Sequence, residues 1–127
     1  MAGESVKDAC KATVDRVVLG FLYDPSERSF EGFKDFCSIE PNVLISELLH
    51  QVVEASEGLD VDAMEPKDPG PDIDFVRKVV RSVRKHDMTS LREVVQGDFS
   101  ELMVALVLVI ARLRKEALDN EIDRFAI

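Results

Sequence analysis

Two groups of polar residues in this 127-residue chain have spacings that metal sites use. Glu47 and His50 stand three residues apart, as do the carboxylate and imidazole ligands of di-iron helical bundles. Such a bundle needs a second pair of this kind, but the chain's other histidine, His86, has Val83 three residues before it. We therefore expect no metal here, and we assign Glu47 and His50 to a solvated helix surface.

The second group, Asp60-Val61-Asp62, begins like the calcium-binding loop of an EF-hand. In that loop the fifth position supplies a ligand, the sixth is glycine and the twelfth is a bidentate glutamate. The chain has Met64, Glu65 and Pro71 at these three positions. The sequence therefore excludes an EF-hand.

The remaining candidates for chemistry do not form a catalytic set. Cys10 falls in the apolar stripe of a predicted helix, where a cysteine acts as a small buried hydrophobe. The six glycines stand singly, which excludes a glycine-rich phosphate loop. We predict no catalytic residues and no cofactor, so the chain is not expected to be an enzyme. A small enzyme with no recognisable motif is kept as an alternative.

The element that must position every other residue is the run from Leu102 to Ala111, which contains ten apolar residues without a break. As a helix it would be about 15 Å long, roughly half the length of a bilayer crossing. A helix that is apolar on all sides belongs in the centre of a helical domain. We therefore predict an all-α fold: a compact bundle of five to six helices around a central hydrophobic C-terminal helix, as a single domain over residues 1–127.

The rest of the chain supplies amphipathic helices that can enclose this centre. Their apolar residues recur at spacings of three and four, which is typical of one buried helix face. The predicted ranges are about 4–22, 29–37, 41–58, 73–85 and 87–97. In the second of them, Phe30, Phe33 and Phe36 are expected to close one end of the core.

A long acidic loop containing proline and glycine, at about residues 58–72, interrupts the bundle. From Glu54 to Asp74 eight acidic residues are accompanied only by Lys67. Between Lys67 and Asp72, prolines and a glycine prevent regular structure, together with the preceding proline: Pro66, Pro69, Gly70 and Pro71. This composition favours a flexible loop. The alternative is that the loop folds back onto the basic helix that follows it.

Positive charge is concentrated directly after this loop, although the formal net charge of the chain is −9. Six basic residues and one acidic residue lie between positions 77 and 92. We predict that this face binds a partner, together with apolar residues of a helical tail that protrudes at about 114–127. The predicted partner-binding residues are Arg77, Lys78, Arg81, Arg84, Lys85, Arg92, Leu118, Ile122 and Phe125.

These features favour a non-enzymatic protein–protein interaction module, such as an adaptor, an inhibitor or a regulatory subunit. The expected partner is a protein with an acidic or apolar surface, and pairing of two copies through the tail is a further expectation. The alternative is a regulator that binds nucleic-acid phosphates through residues 77–92, which the net charge and the lack of interleaved aromatic residues disfavour. The first residues lack the pattern of a signal peptide, so we expect a cytoplasmic protein that is not secreted and does not insert into membranes.

Overall fold

The computed structural model describes residues 2–23, 34, 36, 38–66 and 71–125. In these residues the chain is all-helical and contains no strand, which confirms the predicted fold class. The five α-helices of the described part are α1 (Ala2–Tyr23), α2 (Pro41–Ser56), α3 (Ile73–Arg84), α4 (Met88–Val94) and α5 (Phe99–Phe125). A 3₁₀ turn, Val61–Ala63, lies between α2 and α3.

The apolar run is the core of α5, which packs mainly against α1 and α2. Leu106, Ile110 and Leu113 are fully buried. Val104 and Leu108, by contrast, are only partly buried, because they face a shallow groove beside Phe75 of α3. The expectation that other helices enclose this run on every side therefore holds for residues 105–107 and 109–111 but not for residues 102–104 and 108, which are partly buried.

Acidic side chains begin four of the helices: Glu40 begins α2, and Asp72, Asp87 and Asp98 begin α3, α4 and α5. The sequence predicts this role for Asp72 and Asp98. The Oδ1 atom of Asp72 accepts a hydrogen bond of 3.2 Å from the backbone N–H of Asp74 at the start of α3. Asp98 accepts one of 3.0 Å from the N–H of Glu101 in α5. Asp87 has the same role at α4. Carboxylates at these positions satisfy N–H groups that have no partner within the helix.

Of the two alternatives for the acidic loop, residues 59–66 show the folded-back arrangement. Val61 and Met64 are buried in the core. Arg77 of α3 donates hydrogen bonds to the carbonyl oxygens of Val61 (3.2 Å), Asp62 (3.1 Å) and Met64 (2.7 Å). The two apolar side chains and one guanidinium thus anchor this part of the loop, and residues 67–70 lie outside the described residues.

Part of the predicted aromatic plug also falls outside the described residues, namely Phe30 and Phe33. Phe36 is buried in the core, as expected. Its backbone carbonyl accepts a hydrogen bond of 3.1 Å from the N–H of Ile39, just before α2. Phe36 therefore fixes the chain where it enters α2.

Candidate functional site

An apolar groove of about 480 Å³ lies between α2 and the turn that joins α3 to α4. Its apolar lining consists of Leu49, Val53, Val83 and Met88. Ser46, His50 and His86 complete it. We refer to this site as the α2–α3 groove.

The α2 wall of the groove follows from the width of the apolar stripe on that helix. Leu44, Leu48 and Val52 are fully buried against the domain core. The next residue after each of them, Ile45, Leu49 and Val53, is also apolar and is only partly buried. Because residues four apart share a helix face, these three form a second apolar edge. Leu49 and Val53 of that edge open into the groove.

The opposite wall depends on a sharp reversal of the chain after α3. His86 has a φ of 57°, an uncommon value for a residue other than glycine. Backbone hydrogen bonds from His86 to Val83 (3.0 Å) and from Asp87 to Ser82 (2.9 Å) close the turn. The reversal brings Met88 into the groove, where it is 43% exposed.

Arg84 joins α3 to the end of α2 and is not a freely projecting surface charge. Its Nη2 atom donates a hydrogen bond of 2.6 Å to the carbonyl oxygen of Ser56, and its Nε donates one of 3.1 Å to Ser56 Oγ. Ser56 is fully buried. Arg84 and Arg77, two of the predicted partner-binding residues, therefore bind backbone oxygens of their own chain.

The other basic residues predicted to bind a partner do not form one continuous surface. Arg81 forms an exposed ion pair with Asp62 of the loop. Lys78 lines a different groove, next to the carboxylates of Asp74 and Glu93. Lys85 and Arg92 are exposed. Lys85 lies next to His86, and Arg92 lies one turn after Met88 on the same face of α4. By this spacing, Lys85 and Arg92 are the basic residues of the segment nearest in sequence to the groove lining whose side chains have no hydrogen-bond or ion-pair partner in the described residues.

The structure separates Glu47 from His50. Glu47 is partly buried, so it does not lie on a solvated surface as predicted, and it accepts a hydrogen bond of 2.9 Å from Gln51 Nε2. His50 Nε2 instead lies 3.1 Å from the Oε2 atom of Glu54 at the surface. In the described part of the chain no three His, Cys, Asp or Glu side chains form a group that could hold a metal ion.

The C-terminal part of α5 carries the predicted apolar tail residues. Leu118 and Ile122 are 50% and 56% exposed. The Phe125 side chain lies outside the described side chains. The helix is still held to the domain at Arg114, whose Nη2 atom donates to Asp15 Oδ1 (3.1 Å) and Gln51 Oε1 (2.7 Å). Exposure starts at residue 117, three residues later than predicted.

Cys10 lines a second cavity, together with Asn42, Val43, Ser46 and Glu47. The cysteine itself is buried, as its place in the apolar stripe predicts. Burial raises the pKa of its thiol above the ordinary value, and the negative charge of Glu47 raises it further. Since the thiolate is the reactive form, this environment suppresses nucleophilic chemistry at Cys10.

No family model, curated protein or solved structure matches this chain. Among the described residues no single helix has the length and hydropathy of a membrane span. Only α4 and α5 together meet both criteria, and they are bent by 91° at the break between them. The arguments for a function therefore rest on the grooves and charges of the chain itself.

The apolar period alone places Leu49, Val53 and Val83 on buried helix faces, and it makes no prediction for Met88. One signal was present, because the apolar stripe of α2 is two residues wide in every turn. A neighbouring helix that packs on one row leaves the other at the edge of the contact. The groove is the place where that second row is left uncovered.

Proposed function

We propose that this chain is a non-enzymatic protein-interaction module whose α2–α3 groove binds an amphipathic helix of a protein partner. The observation that carries the proposal is the groove itself, which has a volume of about 480 Å³ and is lined by four apolar side chains. Docking of an apolar helix stripe in such a groove is a recurrent mode of peptide recognition. Exposed Met88 supports it, because methionine adapts its shape to a bound apolar surface.

The charge around the groove indicates that the bound helix of the partner is acidic. Lys85 directly precedes His86 of the lining, and Arg92 stands four residues after Met88 on α4. The segment that supplies one wall has six basic residues and only Asp87 as an acid between positions 77 and 92. On α2, Glu54 lies next to His50 of the lining. Complementary charge raises the rate of encounter and selects the partner more than it adds to affinity. Burial of apolar side chains supplies the affinity.

Phosphate binding by the same segment receives less support. It was predicted to use all the basic residues between 77 and 92, but Arg77 and Arg84 donate to carbonyl oxygens of their own chain. Arg81 is paired with Asp62. Each guanidinium that is engaged in this way has fewer donors left for phosphate oxygens.

A labelled amphipathic peptide of leucine and glutamate, roughly 18 residues or five helical turns long, tests the proposal by fluorescence anisotropy. Wild type is expected to bind it, and Met88→Glu is expected to raise Kd by about tenfold or more, which corresponds to about 1.4 kcal/mol. Leu19→Glu is the matched control, because Leu19 is 46% exposed and lies on α1.

The helical circular-dichroism spectrum of each variant must equal that of wild type. If wild type shows no change in anisotropy with the peptide, or if Leu19→Glu weakens binding as much as Met88→Glu, the groove is not the binding site. A leucine and lysine peptide of the same length tests the charge argument, since it should bind more weakly.

A further inference from the structure

We infer that the helix bound in the α2–α3 groove is the C-terminal end of α5 from a second copy of this chain. The inference rests on the proposed function, because it uses the same groove and names its occupant. We define the α5 tail as residues 116–125. Each copy then supplies both a groove and the helix that fits one.

The α5 tail presents the apolar stripe that such a groove requires. Leu118 and Ile122 are the two most exposed large apolar side chains in the described part of the structure. They stand four residues apart on one helix, so they lie on the same face. Since α5 is already helical through Phe125, docking would not have to fold the segment, and the entropic cost of binding is reduced.

The α5 tail also has the charge that the groove predicts for its partner. From residue 116 to residue 125 the sequence contains four acidic residues and one basic residue, Arg124. Glu121 is exposed, whereas Glu116 accepts from Arg112 of its own chain. The net negative charge of the tail therefore complements Lys85 and Arg92, which neighbour His86 and Met88 of the groove lining along the chain.

The second apolar groove of the domain is a poorer site for the same tail. It lies between α3 and α5, with Phe75, Val104 and Leu108 along it. Glu101 borders it on one side, and on the other side three carboxylates and one ammonium group lie around Phe75, those of Asp72, Asp74, Glu93 and Lys78. An acidic helix would be repelled there, so charge distinguishes the two grooves.

The exposure of the tail shows that it does not occupy the groove of its own copy. Leu118 and Ile122 would be covered if it did, but both are half exposed. The groove and the tail of one chain thus remain available to other copies. Reciprocal exchange between two copies gives a closed dimer with two identical contacts, whereas one-way docking gives an open chain of molecules.

Sedimentation velocity over a series of protein concentrations tests the inference. Wild type is expected to associate, whereas Leu118→Glu/Ile122→Glu and Met88→Glu are each expected to weaken association by about tenfold or more in Kd. Leu19→Glu should associate like wild type. Both tail positions are exposed, so the tail variant keeps the core intact, and its circular-dichroism spectrum checks this.

Mixing the two defective variants gives the sharper result. The Met88→Glu chain keeps an intact tail and the tail variant keeps an intact groove, so a one-to-one mixture should form a complex that neither variant forms alone. Association in the mixture should weaken as salt concentration rises. A mixture that stays monomeric while wild type associates would show that groove and tail do not meet.

A monomeric wild type at high concentration overturns the inference but not the proposed function. In that case the leucine and glutamate peptide can still bind the groove, and Met88→Glu should still raise its Kd. If the peptide does not bind and wild type associates without any effect of Met88→Glu, both proposals are wrong.

Discussion

The Nη2 atom of Arg112, on the central helix α5, donates a 2.7 Å hydrogen bond to the backbone carbonyl oxygen of Glu65, 47 residues earlier in the chain. Nη1 of the same guanidinium lies 3.0 Å from Glu116 Oε2, and the Arg112 side chain is only 3% exposed. A charge this deeply buried is tolerated only when it is paired and hydrogen-bonded. Arg112 thus fixes the acidic loop to the core of the domain.

We predict that removing the carboxylate partner of Arg112 lowers the free energy of unfolding more than removing the arginine charge does. Glu116→Ala leaves the guanidinium buried with one acceptor fewer, and we expect the free energy of unfolding to fall by about 1.5–3 kcal/mol. Arg112→Met leaves the carboxylate of Glu116 without this partner, but Glu116 is 18% exposed whereas Arg112 is 3% exposed, so water can solvate the remaining charge and the loss should be smaller. Urea unfolding of both variants measures this order, and the reverse order would contradict it.

Arg77 is predicted to hold the loop more firmly than Arg81 does. It donates to three loop carbonyl oxygens, those of residues 61, 62 and 64. A lysine offers one ammonium in place of a planar fork and cannot reproduce this arrangement. In Arg77→Lys we therefore expect faster amide deuterium exchange over residues 60–66, while the amides of α2 stay protected.

Arg81→Lys is the matched control for that experiment. Among the described loop residues Arg81 contacts Asp62 alone, in an exposed ion pair, a type of contact that contributes about 0–1 kcal/mol. Exchange over residues 60–66 should therefore remain close to that of wild type. Equal effects of the two substitutions would mean that the guanidinium of Arg77 does not anchor the loop.

The sequence could predict the bundle because the period of its apolar residues is a local property of each helix. Ten uninterrupted apolar residues identified the central helix, and Asp72 and Asp98 marked the starts of α3 and α5. Each of these signals depends on neighbours within a few positions. The structure confirms these helices because the tertiary contacts bury most of the apolar residues that the local pattern marks as buried.

The candidate site could not be predicted, because it depends on which segments return to the same place. Helical period puts Arg77 and Arg84 on the outer side of α3, but it does not show that the loop and the end of α2 cover that side. Arg112 stands in a run of basic residues at the end of the apolar stretch, and nothing local indicates that Glu65 lies beside it. Long-range contacts decide the role of all three arginines.

Cys10 is predicted to react slowly and at unusually high pH. Its pKa is raised above the ordinary value of 9.0, first by burial and then by Glu47. The thiolate therefore forms only at higher pH than it does in an unfolded chain. In a chain with Cys37→Ser, the rate of alkylation by iodoacetamide should rise with a midpoint above pH 9.0.

Two comparisons isolate the causes of this shift. The unfolded chain in denaturant should show an ordinary midpoint, because both burial and the nearby charge are lost. Glu47→Gln should lower the midpoint of the folded chain only in part, since burial is the larger cause. A folded-state midpoint at or below that of the unfolded chain would contradict the buried position of Cys10.

Asp87 is predicted to make the stability of α4, and with it the position of Met88, dependent on acid pH. Its carboxylate accepts a hydrogen bond of 2.6 Å from Ser90 Oγ and one of 3.1 Å from the Ser90 N–H. These bonds, the side-chain one first, hold the pKa of Asp87 below its ordinary value of 3.8. Asp87→Ala is therefore expected to lower the free energy of unfolding at neutral pH, because α4 loses its N-terminal cap.

The sign of the pH effect follows from linkage. A carboxyl group with a lowered pKa in the folded state stabilises that state fully above its unfolded pKa, and the stabilisation disappears as pH falls through the folded pKa. The difference between wild type and Asp87→Ala should thus stay constant from neutral pH down to the region of the unfolded pKa of Asp87, and should shrink as the pH falls further through the lowered folded pKa. In the variant Asp87→Asn the side-chain amide can still accept the backbone bond but does not titrate, so its contribution should not vary with pH. Urea unfolding at a series of pH values measures these differences, and a gap between wild type and Asp87→Ala that does not shrink at low pH would show that the carboxylate of Asp87 does not cap α4.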